Sequence, residues 1–306
     1  MMNTNIQMNN PEVMVSLATS GMIVNVEVNV WSATKQDRTI SKEVTTAYKA
    51  DDEAARVVKH LLAGDPTHKK LLNHRQTIYN WVKKRTYDWS GSNRYLPMVS
   101  LMQFKQEFNQ LEEEYKKLTD EFVEKYPDIV AAMAFKQGDM FDAQEYPSAE
   151  EVRSKFKMKL FVHPVPENDF RVAIAEDIKE ELQKHYAHEA TTKVEEIMRD
   201  ATERLVEFIK RIAHACRDVE PEGSEGTKVR KPKVYEGTIE GAKEMCSLLK
   251  DFNLTGDQRL EDMRQDLLAT LNDVTAKDIR ESDATRAHVK SEMDKIMGKF
   301  GLKEIV

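Results

Sequence analysis

The sequence has few of the residues that interrupt regular secondary structure. Its 306 residues include only 11 glycines and 9 prolines. Because these residues form turns and break helices, their scarcity predicts long helices joined by few turns. Charged residues make up 32% of the chain and hydrophobic residues 40%, which is more charge and less apolar bulk than an average globular domain has.

The chain is also poor in cysteine. Cys216 and Cys246 are its two cysteines, and His214, the one histidine beside them, does not complete the four ligands of a structural zinc site. Both lie in apolar helical patterns, beside Ala215 and Met245. We therefore predict two reduced thiols buried in the core of a cytosolic protein.

Long apolar runs are missing. No run approaches the roughly 20 residues that a membrane-spanning helix needs. The first ten residues, MMNTNIQMNN, have neither the basic start nor the apolar core of a signal peptide. We therefore expect no membrane association and a location in the cytoplasm.

Motifs of phosphate-binding loops, hydrolases and metal centres are missing as well. The sequence contains no GxxxxGKS/T, GxGxxG, GxSxG or HExxH pattern and no paired CxxC. We therefore expect no cofactor and no enzymatic activity. The net charge of −7 argues against a general nucleic-acid binder, although it leaves room for a local basic patch.

Two segments have the pattern of strands. In GMIVNVEVNVW (21–31), valines alternate with polar residues, which is typical of a half-buried strand. A second strand is predicted in KMKLFVHPVP (157–166), where two prolines end it. Because a lone strand leaves its backbone groups unpaired, we expect the two to form a small two-stranded β-ribbon with open edges.

Helical patterns fill most of the remaining chain. Shorter helices are predicted at about 40–62, 66–89 and 148–156. Asp65 is placed to cap the second of these, and Ser148 with Glu151 forms a capping-box pattern at the third.

The helix that begins at Leu101 has the clearest pattern, with apolar residues in steps of 3 and 4 over three heptads. Tyr126-Pro127 is expected to break or kink it. Another helix is predicted from about 168 to 219, with an apolar seam that a partner helix of matching length must cover. The predicted fold class is therefore mainly α: an elongated helical bundle or antiparallel coiled-coil arm with the small β-ribbon.

The composition also suggests where domains begin and end. Residues 220–234 are rich in glycine, proline and charge and lack apolar periodicity, which predicts a linker. We expect a flexible N-terminus at 1–16 and a helical domain with the β-ribbon and long coiled-coil helices at 17–219. A small C-terminal helical unit is predicted at 235–306.

Residues 79–98, YNWVKKRTYDWSGSNRYLPM, concentrate aromatic and basic side chains. Such a mixture can form a surface where rings stack on bases and cations hold phosphates, or it can be the packed end of a helix. The candidate contacts with a partner or a nucleic acid are Lys83, Lys84, Arg85, Trp89, Arg94 and Tyr95. On a helix that ends near residue 89, rings and lysines fall mostly on different faces, which favours a structural corner.

Polar residues interrupt the seam of the helix at 168–219, namely His185, His188 and Glu189. Polar residues in a coiled-coil seam fix its register at some cost in stability, and we interpret these three as such a register layer. Two histidines three residues apart are also a geometry that metal sites use, and plain solvent exposure is a third interpretation. With a single pair and no established signature, we predict no metal site.

Three stretches together resemble a family of tailed-phage and prophage proteins of unknown function. They are LATSGMIVNVEVNVWSATKQDRTISKE (17–43), YDWSGSNRYLPM (87–98) and YPSAEEVRSKFKMKLFVHPVPENDFRV (146–172). Members of that family are often encoded beside a MoxR-type AAA ATPase and a CobT-like von Willebrand factor A protein. The resemblance covers roughly residues 15–220 and carries no catalytic signature. It implies a phage origin, action in the cytoplasm of the infected bacterial host and partnership with a AAA ATPase.

Together these patterns predict a non-enzymatic protein that acts by protein–protein association. An oligomeric scaffold or adaptor fits best, because a long apolar seam needs a partner surface. The resemblance implies that it works with a AAA ATPase. The expected partners are a second copy of the chain or another protein. The alternative is a nucleic-acid-binding protein of phage replication or recombination, and a metal-dependent enzyme at His185 and His188 is a third hypothesis.

Overall fold

The structure, a computed structural model, describes residues 17–165, 176–217 and 232–302, and it describes their side chains except those of Ala18 and residues 176–187. The protein is mainly α. The helices are α1 (Leu17–Ser20), α2 (Arg38–Ala47), α3 (Pro66–Arg85), α4 (Leu101–Gln137), α5 (Ala149–Ser154), α6 (Glu176–Cys216), α7 (Glu236–Phe252), α8 (Gln258–Leu271), α9 (Ala276–Glu281) and α10 (Asp283–Phe300). The strands are β1 (Gly21–Asn29), β2 (Thr34–Asp37), β3 (Val57–His60), β4 (Tyr87–Ser90), β5 (Asn93–Pro97) and β6 (Lys157–Pro164).

The predicted pairing of the two strands is confirmed. β1 and β6 run antiparallel, with Val24 opposite Val162 and Glu27 opposite Lys159. The alternation in β1 is also confirmed, since its valines are buried while Glu27 and Asn29 are exposed. The valine face packs on α3 and α4, in a core that includes Phe104.

The predicted extent of the sheet, two strands, is wrong. β1 also pairs with β5, and β4 pairs with β5, so the sheet has four strands in the order β4-β5-β1-β6. β4 and β5 form a hairpin around Gly91, whose φ of 58° suits the tight turn. Helix α3 therefore ends at Arg85 and not at residue 89. Aromatic residues at 87–95 favour strands, and their spacing also continues the apolar face of α3, which is why a helix was expected.

The predicted helix at 40–62 is confirmed in its first part and wrong beyond Ala47. α2 ends at Ala47, and Lys49 then adopts a left-handed φ of 51°. The following β3 pairs antiparallel with β2, in a second sheet of two strands. The β-branched pair Val57-Val58 favours a strand there.

The predicted helix caps are confirmed. Asp65 Oδ1 accepts a hydrogen bond from the backbone N–H of His68 at 2.7 Å, and Pro66 is the first residue of α3. At α5, Ser148 and Glu151 form the reciprocal bonds of a capping box.

Of the two outcomes predicted at Tyr126-Pro127, the break is wrong, since α4 continues to Gln137, and the kink stays a prediction. A proline inside a helix costs about 3 kcal/mol. Beyond it, Ile129 and Met133 are buried against the core. Burying a large apolar side chain contributes about 1.5–3 kcal/mol, so these two residues offset the cost of the proline.

The apolar seam of α6 lies in a second core. Ile197, Ala201, Leu205 and Ile212 are fully buried among residues of α7, α8, α9 and α10. In the described part of the chain, shorter helices cover this seam where a helix of matching length was expected. An antiparallel coiled-coil arm is therefore not confirmed.

The same core joins α6–α10 to Ile23, Tyr87 and Tyr95 of the sheet. The division of the chain into 17–219 and 235–306 stays a prediction. The predicted flexible N-terminus at 1–16 and most of the predicted linker at 220–234 lie outside the described residues.

Candidate interaction surfaces

The candidate contacts from Lys83 to Tyr95 lie at the end of α3 and in the β4–β5 hairpin. Arg85 is central to them. Its Nε lies 2.7 Å from Oε2 of Glu107 on α4, and its Nη2 donates to Oε1 of Glu244 on α7 at 2.9 Å. Nζ of Lys84 lies 3.7 Å from Oε2 of the same Glu244. These ion pairs connect α3 to two other helices within the chain.

Glu107 is held in its ionised form at this junction. Burial raises the pKa of its carboxyl, but hydrogen bonds from Trp81 and Gln103 and the charge of Arg85 outweigh burial and lower the pKa. The indole N–H of Trp81 donates to Glu107 Oε2 at 2.7 Å. Trp81 and Arg85 of α3 therefore both contact the carboxylate of Glu107 on α4.

Arg94 and the two aromatic candidates pack inside the hairpin. Arg94 donates to the carboxylate of Asp88 and to the hydroxyl and carbonyl oxygens of Thr86. The ring of Tyr95 is fully buried, with its hydroxyl 2.9 Å from Oγ of Ser20. Trp89 is half-buried and stacks on Tyr95, with 6.1 Å between the ring centroids. This packing is that of a structural corner.

Of the candidate cations, Lys83 and Lys84 are exposed, and Lys84 lies near Glu244. The rings and cations of 83–95 do not form one continuous exposed face, because Tyr95 is buried and Arg85 and Arg94 point to carboxylates of the chain. Whether this region contacts a partner or a nucleic acid stays a prediction.

Arg204 on α6 completes the corner, and sequence reasoning missed it. Its Nη1 donates to the backbone oxygens of Lys83 and Lys84, and its Nη2 donates to that of Thr86, all at 3.1 Å. The guanidinium also pairs with Asp200 and lies 5.0 Å from the ring centroid of Tyr87. A cation at these carbonyls suits the negative end of the α3 dipole. Nothing in the local sequence distinguishes Arg204 from other cations of α6.

The predicted register layer lies in the first half of α6. His188 and Glu189 are exposed, and the side chain of His185 lies outside the described ones. The hydroxyl of Thr192 donates to the backbone oxygen of His188 at 2.9 Å. Their role in the register of an assembly stays a prediction. Among the described residues, no group of three or more His, Cys, Asp or Glu side chains is placed to hold a metal ion.

Both cysteines are buried and free, as predicted. Burial raises the pKa of each thiol to about 11, so both are protonated at neutral pH. Beside Cys216, buried Arg286 donates to the backbone oxygens of Ala215 and Pro232 at 2.6 and 2.7 Å. This cation therefore connects the end of α6 to the chain that leads into α7.

A group of exposed apolar side chains lies where α4 begins. Met98, Val99 and Met102 are 42%, 72% and 72% exposed, and we call them the Met98–Met102 cluster. Met98 and Val99 lie in a short 3-10 turn, Met98–Ser100, that leads into α4. They precede Met102 by four and three residues, spacings at which helical side chains are neighbours. Between them, the hydroxyl of Ser100 donates to Asp251 at the end of α7 at 3.0 Å. The sequence signal was available, because these residues lie off the buried seam that begins at Leu101 and Phe104.

The second exposed feature is the outer side of β6, which we call the β6 edge. β6 is the last strand in the sheet order and pairs with β1 along its whole length. Lys157 and Lys159 are exposed there, and Phe161 and Val162 are 37% and 40% exposed. An open sheet edge presents unpaired backbone donors and acceptors.

Comparison of the chain with protein-family models, curated proteins and solved structures gives no match. The resemblance to tailed-phage and prophage proteins therefore stays a prediction. In the described ranges, no helix is both long and apolar enough to cross a bilayer.

Proposed function

We propose that this chain is a non-enzymatic protein that acts by protein–protein association, as a scaffold or adaptor. The observation that supports it most is the Met98–Met102 cluster. Large apolar side chains grouped on a surface are typical of association sites. Methionine suits such a surface, because its flexible, polarisable side chain adapts to a partner.

The resemblance to phage proteins supplies the partner to test first, a MoxR-type AAA ATPase in the cytoplasm of an infected bacterium. A second copy of the chain is the other partner in this proposal. The first half of α6 would then form a coiled coil between copies, with His185, His188 and Glu189 as the polar layer that fixes its register.

Two single substitutions on α4 test the proposal. Met102→Glu places a charge in the cluster, and Gln106→Glu places the same charge one turn further along the exposed face of the same helix. Light scattering on the purified chain measures self-association, and co-purification with a MoxR-type ATPase measures the complex. We expect Met102→Glu to weaken association about tenfold, since a buried charge without a partner is costly, and Gln106→Glu to leave it unchanged.

A chain that stays monomeric and binds no ATPase at micromolar concentrations would refute the proposal. Equal weakening of association by Met102→Glu and Gln106→Glu would show a general effect of charge, and the Met98–Met102 cluster would then not support the proposal.

Nucleic-acid binding is the second candidate, and the exposed cations Lys83 and Lys84 support it. Its test is binding of a single-stranded oligonucleotide at several salt concentrations. Lys83→Glu together with Lys84→Glu should lower the affinity and flatten its salt dependence if these cations contact phosphates. Oligonucleotide binding that both variants leave unchanged would exclude this surface.

A further inference from the structure

We propose that the β6 edge binds an extended acidic segment of a partner protein, which adds to the sheet as a fifth strand. The inference rests on the proposed function, association with another protein. It adds a second association surface to the Met98–Met102 cluster and specifies that the partner segment is acidic.

The backbone geometry of the sheet favours this edge. β6 is eight residues long and, among the described residues, no strand pairs with its outer side. The opposite edge is β4, which has four residues, a register shift between Asp88 and Ser90, and α6 packed against it. A strand that adds to an edge gains a ladder of main-chain hydrogen bonds, and the longer open edge offers the longer ladder.

The charge of the edge selects the partner. Lys157 and Lys159 are two residues apart on the solvated face of β6. Glu27 of β1 is opposite Lys159 in the sheet, but among the described residues no carboxylate lies within 4.0 Å of either lysine. Nearby cations differ: Lys59 lies 2.6 Å from Glu145, and Arg153 pairs with Asp120. Side chains directly opposite each other on adjacent strands lie about 5 Å apart. Acidic residues at alternate positions of an added strand would therefore face the two lysines.

The apolar residues of the edge fit the same partner. Phe161 and Val162 point to opposite faces of the sheet, because successive residues of a strand alternate. An added strand would cover part of both side chains. Lysines on an edge also disfavour pairing with a second basic edge, so the charge of β6 selects against a second copy of itself.

The test uses the full chain and synthetic peptides of eight residues with blocked ends. The binding peptide alternates valine and glutamate; one control replaces glutamate by lysine, and another carries methyl groups on alternate backbone nitrogens. Fluorescence polarisation of labelled peptides measures the affinity. We expect the glutamate peptide to bind, and both control peptides to bind at least about tenfold more weakly.

The protein variants reverse the charge at the edge. Lys157→Glu with Lys159→Glu should weaken the glutamate peptide about tenfold and gain binding of the lysine peptide. Lys116→Glu with Lys117→Glu is the matched control, because these lysines are exposed on α4 and the change in net charge is the same. This control should bind both peptides as the unmodified chain does.

Three results would overturn the inference. The first is no binding of the glutamate peptide, and the second is equal binding of the methylated peptide, which would show attraction without strand addition. The third is displacement of the peptide by a single-stranded oligonucleotide at equal concentration, which would assign the lysines to nucleic acid. The two proposals can fail separately. If Met102→Glu loses its partner and the unmodified chain does not bind the glutamate peptide, this inference fails and the proposed function stands. If the chain binds the peptide and has no partner that Met102→Glu weakens, the proposed function fails.

Discussion

Arg204 connects α6 to the end of α3, and replacing it by methionine measures how much the corner contributes to stability. Methionine keeps much of the length and apolar stem of the side chain and removes the guanidinium. The change leaves the backbone oxygens of Lys83 and Lys84 without this donor, and it removes one of the two donors to that of Thr86, which keeps Arg94. It also removes the ion pair with Asp200 and the contact with the ring of Tyr87.

The size of the effect follows from these contacts. A hydrogen bond from a charged group contributes about 1.5–3 kcal/mol. The three bonds share one guanidinium that is 15% exposed, so their contributions do not add in full. We expect Arg204→Met to lower the free energy of unfolding by about 3 kcal/mol. The free energy of unfolding of Arg204→Lys should lie between those of the unmodified chain and Arg204→Met, because an ammonium keeps the charge and lacks the planar fork of a guanidinium.

Arg211→Met is the matched control. Arg211 lies on the same helix and pairs with Glu207 four residues away, as Arg204 pairs with Asp200. It is more than half exposed, so its loss should cost less than about 0.5 kcal/mol. Urea unfolding followed by tryptophan fluorescence measures both variants. Equal destabilisation by Arg204→Met and Arg211→Met would refute the role that we give to Arg204.

Three further predictions concern packing and protonation. Gly21→Ala should destabilise the protein by about 1–3 kcal/mol in urea unfolding, since a Cβ there would lie 2.3 Å from the buried ring of Tyr95; an unchanged midpoint would contradict this. Burial raises the pKa of the Cys216 thiol to about 11, so this thiol should react slowly with a thiol reagent at pH 8 and rapidly after unfolding. For the same reason the free energy of unfolding should fall as pH rises from 9 toward 11. Glu261 should stabilise the protein above its usual pKa of 4.5 and lose this effect as pH falls toward 2, because the hydrogen bond from Arg264 lowers its pKa to about 2; Glu261→Gln should remove that part of the acid transition.

The parts of the fold that the sequence predicts are those with a local cause. The alternation of β1 predicts its buried valines, and the Asp65-Pro66 and Ser148–Glu151 pairs predict two helix starts. Each of these signals lies within a few residues of the structure that it specifies. The heptad spacing of α4 likewise predicts that Phe104 and Phe108 are buried.

The parts that the sequence does not predict depend on residues far away. The aromatic residues of the hairpin at 87–97 suit a helix face and a strand equally. The strand forms because β5 pairs with β1, which is distant in the sequence. The continuation of α4 through Pro127 depends on the core that buries Ile129 and Met133. No local pattern contains the information that these distant partners supply.

The same reasoning separates the two kinds of charged surface in this protein. Arginine, tryptophan and tyrosine pack within a chain and are also enriched at contacts between chains, so these residues of 79–98 fit both. The carboxylates of Glu107 and Glu244 pair with Arg85 from other helices, which favours a role of this arginine within the chain, and a partner contact by the remaining candidates stays a prediction. Lys157 and Lys159 lie close together on the β6 edge, and no described carboxylate lies within 4.0 Å of either. Exposed cations without a close ion pair among the described residues, on a sheet edge where no described strand pairs, leave both ion pairs and main-chain hydrogen bonds for an external partner to form.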